Sequence, residues 1–189
     1  EPRGLPCPMT LKLEHTTFSG YCKVRGAFNN RLSREVPEAG IVAASGGNHV
    51  AACAYAATKL GHKSVVFVPR AIAKEEKLQR MRDFGAEVIL TEGSVAACMT
   101  ESEVYADATG AFSVHPYATA PTLAGQVTVA LVTEVHTDGF YTIFVATGCG
   151  GLSCGNVSGF SNRVLVVFLL TDGSSPTAQF LKDWPYSHL

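Results

Sequence analysis

Short apolar runs alternate along this chain with longer amphipathic or alanine-rich segments. The apolar runs predict strands at residues 40–45, 64–68, 87–91, 141–147 and 163–169, and an alternating run at 9–14 predicts one more. The segments between them predict helices at 48–60, 73–84, 94–109, 121–137, from 152 onward, and from about residue 27. Helices that alternate with strands in this way indicate an α/β fold with parallel sheets covered by helices.

The composition is that of an ordered globular protein. The chain has 189 residues, of which 47% are hydrophobic and 16% are charged, enough for one large domain or two small ones. A formal net charge of −1 gives no reason to expect nucleic acid or an anionic membrane as a partner. The apolar runs are too short to span a bilayer, and residues 1–4 show no secretory signal. We therefore expect a cytoplasmic protein.

Six cysteines stand at positions 7, 22, 53, 98, 149 and 154. An even number is compatible with disulfides in a secreted protein. However, no C-x-x-C pair occurs, and Cys53 and Cys98 lie in predicted helices, so reduced thiols in an intracellular protein are favoured. Because the cysteines and histidines show no ligand spacing, no metal site is expected.

One lysine stands between two glycines in a chain with few charges. Lys23 follows Gly20, precedes Gly26, and lies between a predicted strand and a predicted helix. It could be an ordinary solvated charge, since lysine is mostly exposed. It could also be a lysine whose amine forms a Schiff base with a carbonyl compound.

Residues 45–49 read Ser-Gly-Gly-Asn-His and connect a predicted buried strand to a predicted helix. Peptide N–H groups at a helix N-terminus attract anions, and the two glycines let a ligand approach the backbone. An ordinary turn with Asn48 as the helix cap explains the same pattern. His49 by itself is more typical of a structural residue than of a catalytic one.

A second glycine-rich turn, residues 147–152, reads Thr-Gly-Cys-Gly-Gly-Leu and follows a predicted strand. Ligands of open α/β sheets bind at the carboxyl ends of strands, and a glycine-rich nest suits a phosphate. The turn lacks the lysine of a nucleoside-triphosphate loop, and Ser153 stands where a dinucleotide loop has its third glycine. We therefore expect a phosphate that does not belong to a nucleotide.

Taken together and in this order, the lysine turn and the two glycine turns resemble the threonine/serine dehydratases. These are pyridoxal-phosphate enzymes of fold type II, related to tryptophan synthase β. The resemblance covers residues 11–155. It includes Lys-Val-Arg-Gly-Ala-Phe-Asn at 23–29, Ser-Gly-Gly-Asn at 45–48, Gly-Ala-Glu-Val at 85–88, His-Pro-Tyr at 115–117 and Ala-Gly-Gln at 124–126.

The resemblance implies a role for each position that matches it. Lys23 would hold pyridoxal 5'-phosphate as an internal aldimine, and Asn48 would hydrogen-bond the hydroxyl of the cofactor ring. The substrate carboxylate would lie at the turn formed by Ser45, Gly46, Gly47 and His49. The cofactor phosphate would lie at the turn formed by Gly148, Cys149, Gly150, Gly151 and Leu152.

The resemblance also implies an architecture. Two Rossmann-like, three-layer domains with parallel sheets would hold the cofactor in the cleft between them. Residues 38–117 would form the smaller domain, and residues 1–37 and 118–189 the larger one. Relatives continue well beyond residue 189, so the larger domain is expected to be incomplete at its C-terminus. A homodimer is expected.

The implied activity is that of a lyase of amino-acid metabolism. L-threonine or L-serine would lose its β-hydroxyl and yield a 2-oxo acid and ammonia, with Lys23 removing the Cα proton. Two alternatives are an impaired or truncated relative that binds phosphate, cofactor or a partner without turnover, and a β-replacement enzyme of the cysteine-synthase type. Cys149 interrupts a run of four glycines in the family. Gly46 replaces the serine of the family's racemases, which argues against racemisation.

Overall fold

The computed structural model describes residues 10–117, 119–139, 141–160 and 165–170. The strands are β1 (Ile41–Ala44), β2 (Ser64–Pro69), β3 (Glu87–Thr91), β4 (Phe112–Ser113), β5 (Thr142–Thr147) and β6 (Leu165–Leu170). The α-helices are α1 (Lys23–Leu32), α2 (Asn48–Lys59), α3 (Glu75–Asp83), α4 (Val95–Thr109), α5 (Ala120–Val135) and α6 (Gly151–Gly159). Short 3-10 helices occupy Glu14–Thr16 and Arg70–Ile72.

All strand pairs in this part of the chain are parallel, which confirms the predicted fold class. The first four strands form one sheet in the order β3-β2-β1-β4, with Val42 of β1 opposite Val65 of β2 and Ser113 of β4. Strands β5 and β6 form a second sheet, in which Thr142 lies opposite Leu165.

Strands β1 and β2 at the centre of the four-stranded sheet are buried along their whole length. Successive side chains of a strand point to opposite sides, so both faces of the sheet are covered there. Ile41 and Ala43 pack into a core that includes residues of α1, α2 and α3. Val42 and Ala44 pack into a second core with Cys98 of α4. This three-layer arrangement explains why β1 and β2 are continuous apolar runs rather than alternating ones.

Small residues let three helices meet at very short distance. A Cβ atom added to Gly125 of α5 would lie 2.6 Å from the carbonyl oxygen of Arg25 in α1. One added to Gly155 of α6 would lie 2.6 Å from the carbonyl carbon of Gln126 in α5. Helix α5 therefore packs closely against both α1 and α6.

Three local predictions are wrong. Residues 10–13 form no strand, and Leu11 and Leu13 are 65% and 50% exposed, because their alternation faces no core. Helix α1 begins at Lys23 rather than near residue 27, so the lysine lies on the first helical turn. Gly47, not Asn48, occupies the N-cap of α2.

Candidate active site

The amine of Lys23 lies at the centre of the candidate site. Its Nζ donates a hydrogen bond to the carbonyl oxygen of Pro116 at 3.0 Å and lies 2.9 Å from Sγ of Cys149. The lysine side chain is half-buried. Lys23 therefore contacts both the segment after β4 and the glycine-rich turn between β5 and α6. Pro116 and Cys149 lie 93 and 126 positions after it in the sequence.

Helix α1 is fixed near its start by Arg25. The Arg25 guanidinium forms two bonds of 2.9 Å with the carboxylate of Glu14, and these side chains are 19% and 16% exposed. Its Nη1 also donates to Oγ1 of Thr128 on α5 at 2.9 Å. A paired guanidinium and carboxylate have a defined mutual geometry, so this contact orients the turn that carries Lys23.

The glycine-rich turn after β5 wraps the start of α6. Gly150 is the N-cap of α6 and has a φ of 82°, a conformation that favours glycine. Cys149 has no positive φ, since every positive-φ residue within the described ranges is a glycine, and the cysteine is tolerated without backbone strain. The first helical bond of α6 runs from the Cys154 N–H to the Gly150 carbonyl at 2.9 Å, so the preceding N–H groups face the turn, as at any helix start.

The turn between β1 and α2 lies under two side chains of the following segment. A Cβ atom added to Gly46 would lie 2.3 Å from Cδ1 of Ile72, and one added to Gly47 would lie 3.3 Å from Nζ of Lys77. The second contact places a cation beside a helix N-terminus. Both features attract a carboxylate or phosphate.

His49 is a buried structural residue. Its ring is 4% exposed, and Nε2 donates to the Val114 carbonyl at 2.9 Å when the imidazole carries its proton there. Burial, together with the nearby charges of Lys23 and His115, lowers the pKa of His49 to about 3, although the bond to Val114 opposes the shift. The imidazole is therefore neutral near pH 7.

The charge of Lys23 affects two further titratable groups near it. Burial, opposed by Glu103 and helped by Lys23, lowers the pKa of the His115 imidazole. Burial raises the pKa of the Cys22 thiol, which the Lys23 charge partly offsets. The Lys23 amine thus acts electrostatically on a thiol before α1 and on an imidazole in the segment after β4.

The structure places Lys23 against one of the two glycine-rich turns and within electrostatic reach of the other. Lys23 contacts Cys149 directly, and its charge reaches His49 in the other turn. Asn48 has an exposed side chain. Leu152 is half-buried on the first turn of α6, and Ser45 is half-buried after β1. The Pro116 carbonyl was not anticipated, because backbone groups give no sequence signal.

Lys77 was also missed as a site residue. It stands in an amphipathic helix of mixed charge, where one more lysine is unremarkable, and only the fold brings its amine to Gly47.

Three further observations concern the cysteines, the possible metal ligands and the helices of the described residues. The five cysteines within the described ranges are free thiols, and Cys7 lies outside those ranges. No group of three histidine, cysteine or acidic side chains in this part of the chain could hold a metal ion. Among the described helices, none is long and apolar enough to cross a membrane.

Comparison with known proteins gives one family over nearly the whole chain. Residues 2–186 match the family described as pyridoxal-phosphate dependent enzyme, which extends the resemblance beyond residue 155. An L-threonine ammonia-lyase of Geobacter sulfurreducens is 36% identical over 158 residues, 80% of this chain and 38% of that protein. A catabolic L-threonine dehydratase of Staphylococcus aureus is 38% identical over 149 residues, 77% of this chain and 42% of that protein. The chain spans about two fifths of the length of these relatives.

Solved structures give the same result for the fold. A serine racemase of maize superposes with a TM-score of 0.76 at 29% identity, covering 83% of this chain and 50% of that one. A fungal L-serine ammonia-lyase of Rhizomucor miehei superposes with a TM-score of 0.75 at 25% identity, covering 91% and 57%. The similar structures thus include both an ammonia-lyase and a racemase.

Proposed function

The chain belongs to the pyridoxal-phosphate-dependent enzymes, and on that premise we propose that Lys23 holds the cofactor in a deaminating β-elimination of L-threonine or L-serine. The products would be a 2-oxo acid and ammonia. The observation that supports the proposal most is the position of the Lys23 amine, 2.9 Å from Cys149 in the glycine-rich turn at the start of α6. A primary amine and an anion-binding turn within reach of one small molecule are what this cofactor requires.

The chemistry of these groups fits the cofactor. An amine is needed to bind its aldehyde covalently, and Lys23 supplies one. N–H groups at a helix start are needed for its phosphate, and the turn formed by Gly148, Cys149, Gly150 and Gly151 supplies them. Asn48 stands exposed at the start of α2 and offers an amide for the ring hydroxyl.

The turn between β1 and α2 is the place for the substrate carboxylate. Ser45, Gly46, Gly47 and the backbone of His49 would bind it at the N-terminus of α2. The Lys77 amine beside Gly47 adds a positive charge on the same side. The His49 imidazole itself takes no part, since it donates to the Val114 carbonyl.

When bound, the cofactor supplies a ring system that stabilises the electron pair left at Cα. The Lys23 amine is the group of this chain placed to accept the Cα proton. The Pro116 carbonyl, which accepts its hydrogen bond at 3.0 Å, keeps the nitrogen directed toward the glycine-rich turn. The Gly46 position lacks a hydroxyl, so it offers no second proton donor for racemisation.

The same proposal includes the architecture. Residues 38–117 would form the smaller domain, which is supported by the position of strands β1 to β4 within that range. Residues 1–37 and 118–189 would belong to the larger domain. The homodimer and the cytoplasmic location remain predictions.

One observation favours a second candidate, an impaired relative that binds phosphate, the cofactor or a partner without turnover. The Cys149 side chain stands in the turn proposed for the phosphate and contacts the lysine that the cofactor would need. A side chain at this point would have to move before the cofactor phosphate and the lysine could both be engaged.

Two assays separate the candidates. The purified chain is mixed with pyridoxal phosphate and scanned for the visible absorption band of the bound cofactor, with Lys23→Ala as control. Release of a 2-oxo acid is then measured with L-threonine and with L-serine. A band that Lys23→Ala abolishes, together with 2-oxo acid release, supports the lyase. A band without release supports a relative that binds but does not turn over.

A further inference from the structure

The contact between Lys23 and Cys149 places an amine close enough to a thiol for the two groups to be joined by oxidation. The nitrogen and the sulfur are 2.9 Å apart, closer than is needed for a nucleophile to reach its target. Both side chains are half-buried, so a small oxidant in solution can reach them. The four other free thiols in the described ranges have no comparable contact with an amine at this distance.

Those other thiols are also poorer targets for oxidation. Thiolates react with oxidants much faster than thiols do. Burial raises the pKa of Cys22, Cys53 and Cys98, and raises that of Cys154 to about 11. Of these, Cys53, Cys98 and Cys154 are also shielded from solvent. Cys149 is therefore the accessible thiol in this part of the chain that also lies against an amine.

We propose that Lys23 and Cys149 form an oxidative modification site, at which a peroxide joins the lysine nitrogen to the cysteine sulfur. In the first step the peroxide oxidises the Cys149 thiol to a sulfenic acid and is itself reduced to water. In the second, the unprotonated Lys23 amine attacks the sulfur, the S–N bond forms and the S–O bond breaks. The hydroxyl leaves as water with one proton from the amine, and the sulfur is oxidised by two electrons overall.

The product, a sulfenamide, is reversible. A thiol attacks its sulfur, the S–N bond breaks, and the nitrogen takes the proton of that thiol, which frees the Lys23 amine. A second thiol then reduces the mixed disulfide left at Cys149. The bond thus blocks the lysine amine covalently until a thiol reductant cleaves it.

The bond forms whether or not the chain is an active enzyme, but its consequence rests on the proposed function. A nitrogen bonded to sulfur cannot hold pyridoxal phosphate, so the oxidised chain loses its capacity to bind the cofactor. Conversely, bound cofactor occupies the same nitrogen and protects the pair. Peroxide and cofactor therefore compete for Lys23.

The competing oxidation product is a disulfide between Cys22 and Cys149. Cys22 precedes Lys23, and its thiol is close enough to Cys149 for a charge there to raise the pKa of Cys22. This disulfide and the sulfenamide both remove two hydrogens from the chain, so intact mass alone does not separate them. Fragmentation of the joined peptides does.

The test is peptide mapping after treatment with hydrogen peroxide. The chain, Cys149→Ser, Lys23→Arg and Cys22→Ser are treated without reductant, digested and analysed by tandem mass spectrometry, and circular dichroism confirms that each variant is folded. We expect a peptide pair joined through Lys23 and Cys149 in the chain and in Cys22→Ser, absent in the other two variants, and lost on addition of a thiol. Saturation with pyridoxal phosphate beforehand should reduce its yield several-fold if Lys23 holds the cofactor.

Three results would overturn the proposal. They are a disulfide between Cys22 and Cys149 as the main product, oxidised Cys149 with no bond to Lys23, and a joined pair that persists in Cys149→Ser. A different result is expected if this proposal is correct but the proposed function is wrong. In that case the joined pair forms as expected, but pyridoxal phosphate neither protects it nor gives an absorption band with the untreated chain.

Discussion

Replacing Gly125 by alanine tests whether close helix contact positions the lysine. The added Cβ would lie 2.6 Å from the Arg25 carbonyl oxygen and 2.6 Å from the Gly26 Cα, both of which are backbone atoms that cannot rotate away. Since unstrained contacts need about 3.5 Å, helices α1 and α5 must separate by roughly 1 Å. Overpacking of this kind costs up to about 3 kcal/mol, whereas alanine in a helix interior gains about 1 kcal/mol over glycine.

The net expectation for Gly125→Ala is a loss of about 2 kcal/mol, or roughly 4–8 °C in Tm. Urea unfolding measures it, with Ala124→Ser as the control on the exposed neighbouring position, where the change should stay within about 0.5 kcal/mol. The displaced α1 should also lower the yield of the Lys23–cofactor adduct. If Gly125→Ala were as stable as the unchanged chain, or more stable, helix propensity would dominate and the close contact would not be a constraint.

Three further predictions concern charge. His49, with its pKa lowered from 6.5 to about 3, binds a proton in the unfolded chain before it does so in the folded one. As the pH decreases from 6.5, the free energy of unfolding should therefore decrease by about 1.4 kcal/mol per pH unit because of this group. Urea unfolding at pH 6.5 and at pH 5 measures the decrease, which should be smaller in His49→Gln. Glu14→Gln removes the carboxylate charge beside Arg25 and should cost about 1–2 kcal/mol, and a change under about 0.3 kcal/mol would contradict that role. Lys77→Gln, near Gly47, should weaken binding of an unreactive amino acid by roughly 5-fold in calorimetry, a loss of about 1 kcal/mol, while unaltered binding would exclude Lys77 from the carboxylate site.

The fold was largely predictable because β1 and β2 are buried along their whole length and are therefore continuous apolar runs. Strand β3 occupies the predicted residues 87–91, and β1, β2 and β5 differ from their predicted bounds only at the ends. The two-residue strand β4 was not predicted, since two residues carry no periodicity. The expected strand at 9–14 failed in its described part because alternation of Leu11 and Leu13 indicates a strand only where one face has a core to meet.

The sequence singled out a lysine and two glycine-rich turns, and the structure places Lys23 against the second of these turns. A glycine turn after a strand indicates an anion site from sequence alone, and Lys23 gained meaning from the two turns that follow it. Contacts between distant residues were not predictable. Nothing in the local sequence of Cys149 indicates that its sulfur meets an amine from residue 23, or that Lys77 lies beside Gly47.

The central claim is that Lys23 is the residue that binds pyridoxal phosphate. Borohydride reduction of the chain after incubation with the cofactor makes the attachment permanent, and peptide mapping then finds the labelled lysine. We expect a phosphopyridoxyl group on Lys23 and no stoichiometric label in Lys23→Ala. A label on another lysine, or one that persists at full yield in Lys23→Ala, would contradict it.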